Sequence, residues 1–147
     1  YLRNHALRTV VEEGTGRVLR SRLPAKLMVA GKTGTTDDLR DSWFAGFSQS
    51  HVAVVWVGLD DNRPVGLTGS SGALRVWGDI LSRLHAQRSA QHGGGSEPTE
   101  PPVGIEFANI DRRTGLKADA DCPHAVSLPF VTDTLPENHS ACVGADE

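Results

Sequence analysis

The stretch Leu27-Met28-Val29-Ala30-Gly31-Lys32-Thr33-Gly34-Thr35-Thr36 decides how the rest of the chain is read. Four apolar residues run into a hexapeptide of Gly, Thr and Lys with no helical repeat, which is the pattern of a strand ending at a polar edge. The polar residues Asp37–Asp41 follow as a connection. Ser42–Ser48 is a second strand candidate and His51–Leu59 a third, where Val52, Val54, Val55, Trp56 and Val57 carry strong β propensity. Gln49-Ser50 is a gap of hairpin length, although it lacks the Asn-Gly signal. Three antiparallel strands are expected.

Upstream of these strands, Leu2, Ala6, Leu7, Val10 and Val11 recur at helical spacing over residues 2–13, and Gly14 and Gly16 end that helix. Residues 17–26 are basic and irregular, with Pro24 against a regular element. Downstream, residues 60–68 form a polar loop. Residues 70–86 carry a helical stripe of Ala73, Leu74, Val76, Trp77, Ile80, Leu81 and Leu84, and Ser70 or Ser71 is placed to cap it. Residues 87–102 have linker composition, with Gly93-Gly94-Gly95-Ser96 and three prolines. Residues 103–147 read as an irregular module or a loosely attached tail. The division is therefore 1–88, a linker over 89–102, and an extension over 103–147. The architecture expected is α/β (α+β): antiparallel strands packed with helices, followed by a loop-rich tail. Helices on one face of a three-stranded sheet leave its other face to be covered by something else.

The chain has 147 residues, with fifteen Lys+Arg, eighteen Asp+Glu and a net charge of −3. That balance argues against a nucleic-acid binder, which carries a basic excess. Residues 1–102 are net +2 and residues 103–147 net −5. No apolar run approaches the roughly 18 residues of a transmembrane helix. Residue 1 is Tyr rather than Met, so the chain reads as a piece of something longer. Cys122 and Cys142 both lie in the acidic tail; by composition they are either a disulfide or two free thiols. The six His show no HxxxH or HxH spacing and no Cys/His cluster has zinc-ligand spacing, so no metal is expected.

Gly31-Lys32-Thr33 invites comparison with a phosphate-binding loop. That loop needs a Gly at position 26, which is Lys, and a helix directly afterwards, where a strand pattern stands instead. Lys32-Thr33-Gly34 at a strand end fits different chemistry. Alternation along a strand projects Thr33 and Thr35 the same way, so two hydroxyls can hold a substrate carboxylate. Gly34 lets an extended substrate lie close to the backbone. Lys32 attracts the carboxylate, and the Thr35 backbone N–H can point at a developing oxyanion.

The tripeptide is weak alone, but its setting is specific. Gly14-Thr15-Gly16-Arg17, Ala30–Thr36, Asp41-Ser42-Trp43-Phe44-Ala45-Gly46, Val55-Trp56-Val57-Gly58 with Asp60, and Gly69-Ser70-Ser71-Gly72-Ala73 follow in order. Over residues 2–86 this resembles the C-terminal part of the transpeptidase domain of class A, bifunctional penicillin-binding proteins, and Val10–Arg17 is most like their 1B group. Ile110-Asp111, Thr114-Gly115-Leu116, Cys122-Pro123 and Cys142 resemble a C-terminal extension seen there.

The resemblance implies the penicillin-binding-protein/serine β-lactamase-like fold and acyl transfer. A serine attacks the D-Ala-D-Ala bond of a peptidoglycan stem peptide, an amine of a neighbouring stem resolves the acyl-enzyme, and β-lactams acylate the same serine. It implies no cofactor. It implies a glycosyltransferase and a membrane anchor upstream, and a place on the periplasmic side of the inner membrane. That oxidising compartment favours a Cys122–Cys142 bridge. The chain departs from the family pattern in one respect: no Ser is followed three places later by Lys, and Ser-x-Asn is absent. No catalytic nucleophile is therefore assigned here. Lys32, Thr33, Gly34 and Thr35 are assigned to substrate binding, and the Thr35 N–H to the oxyanion site. A serine β-lactamase fragment and a noncatalytic interaction module are the alternatives.

Among the remaining residues, Trp56 and Trp77 are expected in the core, and packing is favoured for Trp43 as well. Asp37, Asp38 and Asp41 are expected to be a solvated connection rather than an acid/base cluster. Thr36 either lines the cleft or begins the turn. Arg17 and Arg40 default to the surface.

Overall fold

The computed structural model describes residues 1–25, 27–92 and 100–142. It divides into two compact units, Arg3–Pro98 and Tyr1–Leu2 with Thr99–Glu147.

In the first unit, helix α1 (Leu2–Glu12) buries only Val11. The segment after it is more ordered than its composition suggests. Arg17–Ser21 forms a 3-10 turn that buries Leu19 completely. Strands β1 (Val29–Thr35), β2 (Ser42–Ser48) and β3 (Val52–Val57) form an antiparallel sheet in the order β1-β2-β3. The β2–β3 hairpin closes without Asn-Gly because the Ser48 hydroxyl accepts from the Ser50 and His51 amides at 3.4 and 3.2 Å.

Helix α2 (Ala73–His92) packs on one face of this sheet. Alternation places Ser42, Phe44, Gly46 and Ser48 of β2 on that face, all buried. Phe44 meets Trp77 edge-on, with ring centroids 5.1 Å apart, and the Trp77 indole donates to the Ala53 carbonyl at 3.0 Å. Val11, Leu19, Leu23, Leu27, Val29, Leu74 and Leu81 complete the core.

Several expectations for this unit need correction, including the packing expected of Trp43, which is 42% exposed. Helix α2 starts at Ala73 and continues through His92, so residues 87–92, assigned by composition to a linker, are helical. The Gly93–Ser96 stretch lies outside the described residues. The helix is not capped by Ser70 or Ser71, because the Ala73 amide donates instead to the Ser42 hydroxyl of β2 at 2.8 Å. Trp56 is not core but 43% exposed, against 1% for Trp77. The register pairs Trp43 with Trp56, so both rings stand on the face opposite Phe44 and α2. Trp43, Val52 and Val54 share that uncovered face and are exposed. Of the α2 stripe, Ala73, Leu74, Trp77 and Leu81 are buried, whereas Val76 and Ile80 face outward.

The second unit is a β ribbon rather than an irregular tail. Strands β4 (Ile105–Asp111) and β5 (Ala125–Val131) pair antiparallel from Ile105↔Val131 to Asp111↔Ala125. Pro129 obscures β5 in sequence, yet a two-stranded ribbon leaves one edge of every strand free to accept it. The buried Asp111 carboxylate accepts from the Arg113 amide, the Thr114 hydroxyl and the Ser140 hydroxyl at 2.9, 3.1 and 2.6 Å. Cys122 and Cys142 are joined by a disulfide with Cα atoms 5.7 Å apart. Among the described residues, no helix is long and apolar enough to cross a membrane.

Candidate active site

Strand β1 lies at the edge of its sheet, so one side of Lys32–Thr35 has no strand beside it among the described residues. The direction of its peptide groups follows from the ladder. The Thr36 amide donates to the Asp41 carbonyl, toward β2. Peptide groups alternate along a strand, so the Thr35 N–H and the Thr33 carbonyl face the open edge. Lys32 is exposed and folds back onto that edge, with Nζ donating to the Thr33 carbonyl at 2.7 Å.

The side chains divide between the two faces. The register aligns Lys32 with Ala45 and Val54, and Gly34 with Trp43 and Trp56, on the uncovered face. A Cβ at Gly34 would lie 3.1 Å from Trp43 Cβ, so the missing side chain accommodates the indole as well as leaving the edge clear. Thr33 and Thr35 stand on the opposite face, in the rows of Phe44 and Ser42.

Each of these two hydroxyls is held by a different turn. Thr33 Oγ1 lies 3.0 Å from Thr15 Oγ1. Thr35 Oγ1 accepts from the Gly69 amide at 2.9 Å. Gly69 can approach so closely only as glycine: a Cβ there would sit 2.6 Å from the Gly34 carbonyl oxygen and 2.7 Å from that of Trp43. The turn is anchored by Ser42, which donates to the Thr68 carbonyl and accepts from Ala73, each at 2.8 Å. The sequence singled out Thr33 and Thr35 but missed Thr15, Ser42 and Gly69. Their signals were the Gly-Thr-Gly and Gly-Ser-Ser-Gly punctuation, which marked turns without saying what they touch.

The surrounding polar residues brace the connection beyond β1. Thr36 begins the turn, its hydroxyl donating to the Asp41 carboxylate at 3.0 Å and accepting from the Asp41 amide at 2.8 Å. The other Asp41 oxygen accepts from the Trp56 indole at 2.9 Å. Asp38 and Leu39 both adopt left-handed backbone, with φ of 57° and 55°. Arg40 holds this bend by donating to Asp38 and to the Asn62 carbonyl, each at 3.2 Å. The Leu39 carbonyl accepts from the Val65 and Gly66 amides at 2.9 and 3.1 Å. Asp38, Asp41 and Arg40 are thus engaged in the connection. Asp37 is exposed, as is Arg17. Among the described residues no group of three His, Cys, Asp or Glu gathers to hold a metal.

The chain is similar to known proteins along most of its length. It is 38% identical over 130 residues to penicillin-binding protein 1B of Vibrio cholerae, covering 88% of this chain and 16% of that protein. It is 36% identical over 125 residues to penicillin-binding protein 1B of Haemophilus influenzae, covering 85% of this chain and 14% of that one. Against penicillin-binding protein 1B of Escherichia coli it is 47% identical over 82 residues, 56% of this chain and 10% of that protein. The solved structure of penicillin-binding protein 1A from Haemophilus influenzae superposes with a TM-score of 0.76 at 26% identity, covering 93% of this chain and 20% of that one. No family model matches. The chain thus spans about one-sixth or less of the curated relatives named here. Relatives and fold agree with the order of motifs along residues 2–86: the chain belongs to the class A penicillin-binding proteins, as a C-terminal portion most like the 1B group.

Proposed function

We propose that this chain is the late part of a peptidoglycan D,D-transpeptidase that cross-links stem peptides through a serine acyl-enzyme and is acylated by β-lactams. Residues 1–92, through the end of α2, complete the transpeptidase domain, the stretch from there to 102 links it onward, and 103–147 form an acidic extension. Lys32, Thr33, Gly34 and Thr35 bind the donor stem or the β-lactam. Thr33 and Thr35 hold its carboxylate, Lys32 supplies positive charge, and the Thr35 N–H stabilises the oxyanion of the tetrahedral intermediate. The nucleophile, its activating lysine and the proton-relay serine lie upstream in the same domain, together with a glycosyltransferase and a membrane anchor. The domain works on the periplasmic side of the inner membrane, without a cofactor. Residues 1–147 alone do not turn over.

The observation that supports this reading most is the open edge of β1. It combines an outward Thr35 N–H with two hydroxyls, each fixed by a separate turn. The test uses cells of the source organism treated with fluorescent penicillin, with capture through residues 103–147. A labelled band far heavier than 15.7 kDa is expected, and label is lost when Lys32→Ala is introduced into the full-length protein. A heavy band without label overturns the reading. So does label on a band at the mass of this chain, which would place a nucleophile within it.

A further inference from the structure

A carboxylate only accepts hydrogen bonds, so a hydroxyl that holds it must keep its own proton for it. Thr35 meets this condition, because the Gly69 amide is a pure donor that occupies Thr35 Oγ1 as an acceptor and leaves the Thr35 proton free. Among the described residues no amide reaches Thr33 Oγ1; its side-chain partner is the Thr15 hydroxyl at 3.0 Å, and either oxygen of that pair can donate. We infer that Thr15 is a positioning residue that donates to Thr33 Oγ1, so that the Thr33 proton is aimed at the substrate carboxylate. The inference rests on the reading above that this edge holds a carboxylate.

The local fold makes Thr15 suited to this role. It sits at the tip of a turn clamped to the end of α1. The Gly14 amide donates to the Thr9 carbonyl at 3.2 Å and the Gly16 amide to that of Val10 at 2.9 Å. A side chain would crowd either flanking residue against the helix end, since a Cβ at Gly14 or Gly16 would lie 2.9 or 3.0 Å from the Val10 carbonyl oxygen. The fully buried Val11 fixes the helix end in the core. Thr15 is thus presented on a short rigid arm from a part of the chain 18 residues before Thr33. Its hydroxyl and that of Thr33 form one donor chain ending at the place where the carboxylate binds.

The test measures acylation rate constants of the full-length protein with benzylpenicillin and with its methyl ester, which lacks the carboxylate charge. The quantity read is the ratio of the two rates in each variant, from which any unfolded fraction cancels. Thr15→Val is expected to lower the acid rate by roughly three- to tenfold, as for loss of one hydrogen bond, and to leave the ester rate nearly unchanged. Thr15→Ser restores the ratio, and Thr15→Val adds nothing when Thr33 is already Val.

Equal loss with acid and ester means that Thr15 only stabilises the fold, and overturns the inference. Additive loss on top of Thr33→Val means an independent contact with the ligand, and also overturns it. If Thr33→Val lowers the ratio and Thr15→Val does not, the inference falls and the carboxylate reading stands. If neither variant changes the ratio, the carboxylate reading itself falls and the inference with it.

Discussion

The Ala73 amide at the start of α2 donates to the hydroxyl of Ser42 on β2 at 2.8 Å, and Ser42 donates in turn to the Thr68 carbonyl at 2.8 Å. One fully buried serine therefore caps a helix 31 residues away and ties down the turn that reaches Thr35. Replacing Ser42 by Ala leaves an amide and a carbonyl without this partner in the interior. The expected cost is about 1–3 kcal/mol, with weaker β-lactam acylation because the Gly69 turn loosens. Denaturant unfolding and acylation rates of the full-length protein measure the two effects. A Ser42→Ala protein with unchanged stability would contradict the capping role.

Gly69→Ala tests the same turn from the other side. The added methyl would meet the Gly34 and Trp43 carbonyl oxygens at 2.6 and 2.7 Å. Both are backbone atoms of paired strands and cannot move aside cheaply. The turn must retreat, breaking the bond from the Gly69 amide to Thr35. Acylation by a carboxylate-bearing β-lactam is expected to fall about tenfold or more, as for loss of a well-aligned hydrogen bond together with local strain. Stopped-flow acylation of the full-length protein reads this directly.

On the face of the sheet that carries Trp43, Val54 and Trp56 these side chains are exposed among the described residues, Val54 at 60%. An apolar patch of this kind calls for a cover, and on the proposed function the upstream part of the domain supplies it. Val54→Arg separates the cases. Under a cover the charge is trapped, and the full-length protein is expected to lose about 2 kcal/mol or more and its penicillin labelling. On a truly open face the change would stay within about 0.5 kcal/mol. Thermal unfolding with penicillin labelling distinguishes the two.

In the ribbon unit, the hydrogen bond from Ser140 leads in holding the Asp111 carboxyl below its ordinary value of 3.8, with help from the Arg113 amide, the Thr114 hydroxyl and the Arg113 charge; burial opposes them. A carboxyl lowered on folding stabilises the fold above its unfolded pKa, and that contribution disappears as pH falls through the folded value. The ribbon is therefore expected to weaken below about pH 4. Asp111→Asn should flatten this dependence. Hydrogen exchange of β4 and β5 amides between pH 3 and pH 6 provides the measurement. The Cys122–Cys142 bridge closes the same unit, and on a chain-entropy model a loop of this length contributes about 3 kcal/mol. Reducing and oxidising conditions should accordingly be compared separately.

Much of this protein could be read from local pattern. The three strands, both helices, the rejection of a phosphate loop and the pairing of Thr33 with Thr35 on one face all follow from alternation, periodicity and turn residues. These signals depend on neighbours within a few positions, and the structure places β2 at the same residues that the pattern marks. The motif order carried the family for the same reason, since each motif is a short run whose residues meet one local need.

What only the tertiary structure decided was which groups distant in sequence meet. Trp56 looked like core because its strand is strongly apolar, yet register turned it to the bare face with Trp43. Helix α2 outran its apolar stripe because residues 87–92, Gln-Arg-Ser-Ala-Gln-His, continue the helix without the large apolar residues that mark its earlier turns in sequence. The cap of α2 comes from β2, the hydroxyl beside Thr33 from the turn after α1, and the amide on Thr35 from the turn before α2. The β4–β5 ribbon was hidden because its register depends on pairing across a 13-residue connection. A hydrogen bond between residues 18, 31 or 34 positions apart leaves no periodic trace in either partner. It exists only once packing has brought the two backbones together.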